Sequence, residues 1–346
     1  MTVDEGGSGL QVREYVVRRL FKLPLVLIAL TALVFALSRV GGSPIAIYLE
    51  HEMTQEEMAA LAERFGLDRS LPEQYVAWLA GVVRGDLGWS GVSVAPVADV
   101  LPAKFVATME LALFAGVIAV LLGVGLGTFA GARRNRFADH VTRVFTISGA
   151  SLPLFWFALM MVILFYLVWP IFPLGLFDPA VYGQIVHPTG FYTIDAILAG
   201  NLRALADALW HLALPAFVMG IEGTAVIARM MRSSLVEEMG EDYVDAARAK
   251  GLPERLVIKR HARRNALIPT VTVVGLSWGL LLQGTVVIET IFRWPGIGRW
   301  ATDGVIRGDR ATIMAFILVA GVIFLLVNLI VDVVYAYLDR RVVLGE

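Results

Sequence analysis

Six stretches of this chain stay apolar long enough to cross a bilayer as helices, and that feature limits the fold more than any other. They cover approximately residues 23–40, 109–131, 144–169, 211–228, 266–288 and 312–335. In hydrocarbon every backbone N–H and C=O must find a partner within the protein, which an α-helix achieves alone. The expectation is therefore an all-α polytopic membrane protein with six transmembrane helices. Charged residues make up only 17% of the 346, against roughly a quarter in a soluble domain. Lys and Arg total 29 and Asp and Glu 30, so no net field draws nucleic acid. The chain has no cysteine, which excludes disulfides, thiolate nucleophiles and cysteine-ligated metal centres.

The basic residues set the orientation. With the N-terminus inside, the cytoplasmic pieces hold Arg13, Arg18, Arg19 and Lys22, then Arg133, Arg134, Arg136 and Arg143, then a cluster within 229–264, then Arg340 and Arg341. That is most of the Lys and Arg, so both termini are expected in the cytoplasm. A basic start before an apolar run is also the form of a signal peptide, but Arg39-Val40-Gly41-Gly42 reads as the end of a span.

Residues 42–108 form a long hydrophilic insertion on the outer side. Thr54-Gln55-Glu56-Glu57 has capping-box spacing before Met58, Leu61, Ala62 and Phe65, and Ser70-Leu71-Pro72-Glu73 repeats the signal before Tyr75, Trp78, Leu79 and Val82. Two short amphipathic helices follow, with stops at Gly66 and Gly85; they cover the bundle, or also help to seat an external partner. Trp169-Pro170 and Trp294-Pro295-Gly296 through Trp300 read as turns anchored at the headgroup level.

Between the fourth and fifth spans lies a charged cytoplasmic turn. Asp242 can cap a short helix with Asp245 in its first turn and Arg248 and Lys250 in its last, which matches the helix dipole at both ends. Gly251 sits where a left-handed residue ends a helix, and Pro253 and Glu254 open another that Lys259, Arg260, Arg263 and Arg264 close. Tyr243, Ala247 and Gly251 share one face, a large–small–small profile that admits another surface closely. Spacing alone leaves a partner dock and an inert linker both open.

Asp245-Ala246-Ala247, three residues, then Gly251 resembles the Glu-Ala-Ala-x-x-x-Gly core of the docking loop in binding-protein-dependent ABC importer permeases, with Asp245 in place of the glutamate. The fuller string Asp242-Tyr243-Val244 with Ala247-Arg248-Ala249-Lys250-Gly251-Leu252, and the late Pro269, is similar to the dipeptide/oligopeptide branch. His261 departs from that family's isoleucine. Gly66-Leu67-Asp68-Arg69, Arg84-Gly85-Asp86-Leu87-Gly88, Thr108-Met109-Glu110-Leu111, Ser151-Leu152-Pro153, Glu289-Thr290-Ile291-Phe292 and Leu326-Val327-Asn328-Leu329 continue the likeness to its "B"-type permeases, in order, over roughly residues 14–341.

The resemblance implies a type I ABC importer permease fold with an extracytoplasmic insertion between helices 1 and 2, in the inner membrane. It divides the chain into a cytoplasmic segment 1–22, the first helix plus insertion 23–108, a five-helix permease core 109–338 with its coupling loop at 229–265, and a cytoplasmic tail 339–346. It implies as partners a homologous second permease subunit, two cytoplasmic ABC ATPases, an extracytoplasmic solute-binding protein and membrane lipid. The ATPase-docking loop would comprise Tyr243, Val244, Asp245, Ala246, Ala247, Ala249, Lys250, Gly251, Leu252 and Pro253. It implies peptide as the solute, with oligosaccharides or nickel chelates as alternatives within the same class. No cofactor is expected in this chain, ATP and Mg belonging to the partner ATPases.

The lysines, Lys22, Lys104, Lys250 and Lys259, lie in no P-loop, so the chain is not expected to be an enzyme. Gly123, Gly127 and Gly131 recur at four-residue steps inside a span and read as a packing face, not a nucleotide fingerprint. Polar groups at membrane depth are costly and face protein or water. Glu222 and Gln283 are the pathway or gating candidates; Asn328 and Asp332, one turn apart, read as a helix brace. The five histidines show no metal-ligand spacing. A secondary transporter could share the spans but would not require the capped cytoplasmic turn.

Overall fold

The computed structural model describes residues 24–36 and 69–338, apart from the side chains at 150, 279–280, 282–284, 328 and 330–338. The expected helix at 54–65, the 1–22 segment, the 339–346 tail and the side chains of Gln283, Asn328 and Asp332 lie outside the described residues. What is described is almost entirely helical. Contacts divide the chain into a unit Val106–Gly296 and a unit formed by its flanks, Met1–Phe105 with Ile297–Glu346.

In the flanking unit, α1 (Pro24–Ala36) is a short apolar helix within the expected first span. Helix α2 (Leu71–Val83) begins where the capping box predicts: Glu73 accepts from the backbone N–H of Ser70 at 3.0 Å and from its hydroxyl at 2.8 Å. Gly85, just past its end, takes φ +86. Tyr75 joins α2 to α1 through an edge-on contact with Phe35 and a 2.9 Å hydroxyl bond to Thr31. A two-residue hairpin follows, β1 (Trp89–Ser90) pairing antiparallel with β2 (Ala95–Pro96). Its anchor is the buried Asp309 carboxylate, which accepts from the Ser90 hydroxyl and the Val92 N–H at 3.0 Å each and from the Thr312 hydroxyl at 2.6 Å. Asp309 precedes the last long helix, α13 (Arg310–Leu338), and follows α12 (Ile297–Arg307).

Helix α3 (Val97–Gly131) starts well before the expected 109, so the end of the insertion is already helical. The expected third span is not one rod. α4 (Phe137–Ser151) stops at Leu152, and α5 (Leu154–Val162) resumes after Pro153 and runs into a π turn, Ile163–Val168, at 101° to α4. Pro153 supplies no N–H and forces the preceding residue out of the helical region, and Leu152 accordingly sits at φ −77, ψ 130. Short helices α6 (Pro179–Tyr182) and α7 (Tyr192–Leu198) fill the following loop.

Helix α8 (Leu202–Glu238) is the axis of the central unit, with 61% of its most apolar window buried, against 44% for α3 and 11% for α13. Among the described residues these three are long and apolar enough to span a membrane, or four spans exist if the bent α4–α5 pair counts as one. The other expected anchors divide. Trp169 is exposed, as a headgroup anchor should be, but Trp294 and Trp300 are buried. Trp294 donates its indole N–H to the Ala107 carbonyl at 2.8 Å, and Trp300 donates to the Ser93 hydroxyl at 3.0 Å. A tryptophan whose N–H finds a protein partner is as stable inside as at an interface.

Candidate functional site at the elbow after α8

Beyond its apolar stretch α8 continues to Glu238, and the chain turns at Gly240 into α9 (Asp242–Ala249). Glu241 holds the cap position, without a side-chain bond, and Asp242 is the first helical residue rather than the cap. Asp242 and Asp245 occupy the first turn and Arg248 the last, as the dipole favours. Gly251 ends the helix at φ +78, its N–H bonding the Arg248 carbonyl at 2.9 Å. Pro253 caps α10 (Glu254–Leu256). The second helix does not close after its basic residues as expected. It passes through a π turn, Val257–Ala262, straight into α11 (Arg263–Ile291), where the fifth span is expected. The elbow is thus a short helix, a sharp stop, and a continuous rod back into the membrane.

The faces of α9 differ from the sequence expectation. Val244 and Ala247 are buried, and Tyr243 is half-buried, against Met231 and Leu235 of α8 and Val257, Ala262 and Ala266 of the returning rod. Ala247 therefore faces its own protein. The open face carries Asp242, Asp245, Ala246, Ala249 and Lys250, with Gly251 and Pro253 exposed beyond the helix end. Small side chains do admit a close neighbour here, but the neighbour is the rest of the same chain.

Charge pairs stiffen this turn. Arg248 bonds Asp245 at 2.9 Å and Glu254 at 2.9 and 3.2 Å, tying the helix to the segment beyond Gly251. Glu254, then Asp245, raise the Arg248 pKa further, and Arg248 holds the Glu254 carboxyl below its ordinary value. The Tyr243 hydroxyl donates to Glu238; burial first and that carboxylate second push its pKa up to about 12.

A second clamp, which the sequence reading did not single out, holds the extension of α8 from the side. Asp139 near the start of α4 is fully buried and receives two bonds from the Arg232 guanidinium, one of them NH2 to Oδ2 at 2.8 Å. The Asn135 N–H adds a third at 3.0 Å, and Arg143 stands 3.8 Å away. Asp139 is the lone acidic residue among Arg133, Arg134, Arg136 and Arg143. That isolation was the available signal; the partner lies 93 residues on.

The remaining candidates separate by place. A Cβ on Gly123 would meet Ile227 at 2.7 Å, on Gly127 the Ala228 carbonyl at 2.6 Å, and on Gly131 Leu235 at 3.0 Å, so α3 lies against α8 along this row. Glu222 is exposed on α8 and has no hydrogen bond or ion pair among the described residues. Two buried carboxylates, quoted above only within strings of family likeness and given no role, have close partners. Glu110 receives the Thr193 N–H at 2.8 Å and the Thr193 hydroxyl at 2.6 Å at the start of α7, and Glu289 accepts from the Thr108 hydroxyl at 2.6 Å. Among the described residues no group of His, Asp and Glu is arranged to hold a metal.

Comparison with known proteins gives this architecture its relatives. The family described as "Binding-protein-dependent transport system inner membrane component" matches residues 123–344, and its companion N-terminal component matches 12–111. The chain belongs to this family. It is a membrane permease of the ABC transporter class, multi-pass in the inner membrane, and works within an importer alongside other subunits. Similar chains include the dipeptide transport system permease protein DppB of Escherichia coli (strain K12), 38% identical over 333 residues that cover 95% of this chain and 98% of that one. DppB of Alkalihalophilus pseudofirmus, also named for dipeptide transport, is 37% identical over 332 residues, covering 95% and 98%. The di/tripeptide transport system permease protein DppB of Pseudomonas aeruginosa (strain UCBPP-PA14) is 38% identical over 330 residues, with the same coverage.

Proposed function

We propose that this permease forms half of the translocation pathway for short peptides, delivered by an extracytoplasmic binding protein and driven by separate ATPase subunits. The observation that carries the reading is the elbow. Its helix is bonded to α8 and to the rod of α11 through Val244, Ala247, Arg248 and Tyr243, while a charged face stays open to the cytoplasm. A separate motor pushing on that face would move both spans at once. Similarity over nearly the whole chain, at 38% identity, to permeases named for dipeptide and di/tripeptide transport supports peptide as the solute.

On this reading the chain pairs with a homologous permease subunit, crosses the membrane six times with both termini inside, and keeps residues 42–108 outside. ATP and Mg are held by the ATPases and none in this chain. The core runs over 109–338 and the coupling loop over 229–265. Glu222 and Gln283 line the pathway, and Asn328 and Asp332 brace the last helix. The test is uptake by the assembled importer in proteoliposomes. Gly251→Pro, and Ala246→Trp on the open face, should each abolish ATP-driven uptake with the subunit still in the membrane. Normal uptake and normal ATPase co-purification in both variants would defeat the docking role.

A further inference from the structure

Along α8 the charges change character. Towards its C-terminal end Arg232 and Glu238 have partners, Asp139 and Tyr243, whereas Glu222, midway along the helix, has none among the described residues. It borders a partly open hollow of about 220 Å³ between α4, α5 and α8, whose lining includes Phe145, Ser148, Leu154, Phe157 and Phe217. The lining carries one charge. A bare carboxylate among apolar walls at this depth is costly and persists where water or a cation reaches it. The hollow has room for several waters, whereas a smaller one on the other side of Glu222, beside Ser277 and Leu281, measures about 20 Å³ and holds no more than a single water.

We infer that Glu222 and this hollow form a subsite for a cationic group on the transported solute, the ammonium terminus of a short peptide. The inference rests on the pathway reading above and adds its chemistry. An ammonium offers three N–H donors to a carboxylate, and the faces of Phe145, Phe157 and Phe217 attract the same cation through their ring quadrupoles. The apolar remainder accepts a side chain by contact area alone, without selecting one sequence. A peptide is thus held by the group that all peptides share.

The absence of cysteine makes a direct test possible, because Ser148→Cys places the chain's sole thiol in the hollow. In membranes holding the complete importer, this subunit's labelling is followed with cationic, neutral and anionic methanethiosulfonates, each rate divided by that with a free thiol. The cationic reagent should react faster than the anionic one by on the order of ten-fold, a ratio set by one carboxylate at short range. Adding Glu222→Gln should bring the ratio close to one, and Glu222→Asp should preserve it. Dipeptide uptake with saturating binding protein should fall with Glu222→Gln and return with Glu222→Asp. Labelling by none of the reagents at any stage of the ATP cycle would overturn the pathway reading itself. Labelling without charge preference would overturn the subsite and leave the pathway standing. Loss of the second permease subunit on Glu222→Gln would also overturn the subsite, making Glu222 a subunit contact.

Discussion

Helix α8 carries two charge environments, and the contrast separates what is held rigid from what is left available. Towards its C-terminal end Arg232 grips the buried Asp139, and the elbow beyond is tied by Arg248, Asp245 and Glu254. Midway along the same helix Glu222 is left without a protein partner among the described residues. Pairing is tight around the buried Asp139, and absent among the described residues at the exposed Glu222. Rigidity at the elbow and an open charge in the middle are what a force-driven carrier requires.

The strongest way to break the contrast is Gly251→Pro. Proline fixes φ near −65°, but the chain needs +78 here, so α9 should lose its stop and uptake should vanish. Uptake close to wild type would show that a rigid elbow is unnecessary. Next in size is Asp139→Ala, which leaves Arg232 against a buried site and should cost about 3–5 kcal/mol, read as a fall in the melting temperature of the detergent-purified importer. Asp139→Asn should recover part of that loss, because its amide oxygen still accepts from the Asn135 N–H.

At mid-helix the sign should reverse. Glu222→Gln removes an unpaired charge, so stability should hold or rise by up to about 1 kcal/mol, even as transport falls. A drop like that of Asp139→Ala would mean that Glu222 has a structural partner. The smallest effect belongs to Arg248→Ala, under about 1 kcal/mol and less in high salt, because its partners are exposed. Acid should imitate it. Glu254 is depressed in the folded state, so its contribution is present above the ordinary carboxylate pKa and lost as pH falls through the folded value. Melting temperatures of wild type and Arg248→Ala should therefore converge on acidification.

Apolar length, caps and stops made much of this fold legible: the box at Ser70, the left-handed Gly251 and the glycine row of α3 all follow from local chemistry. Four features were not legible, for distinct reasons. The bend at Pro153 lies in an unbroken apolar run, where hydropathy is blind to one missing N–H. Trp294 and Trp300 have the composition of headgroup anchors, and only the carbonyl of Ala107 and the hydroxyl of Ser93 decide otherwise. At the elbow, spacing showed that Ala247 admits a close neighbour but not whose surface that neighbour is. The Asp139–Arg232 clamp joins distant segments, and nothing local announces such a pair.

The glycine row has a mechanical consequence. Contact runs both ways: a Cβ on Gly127 would strike the Ala228 carbonyl at 2.6 Å, and one on Gly220 would strike that of Ala115 at 2.7 Å. With main chain resting on main chain at these two heights, little slack is left there to absorb a displacement. Tilting α8 from below must carry α3 with it like one blade of a pair of shears.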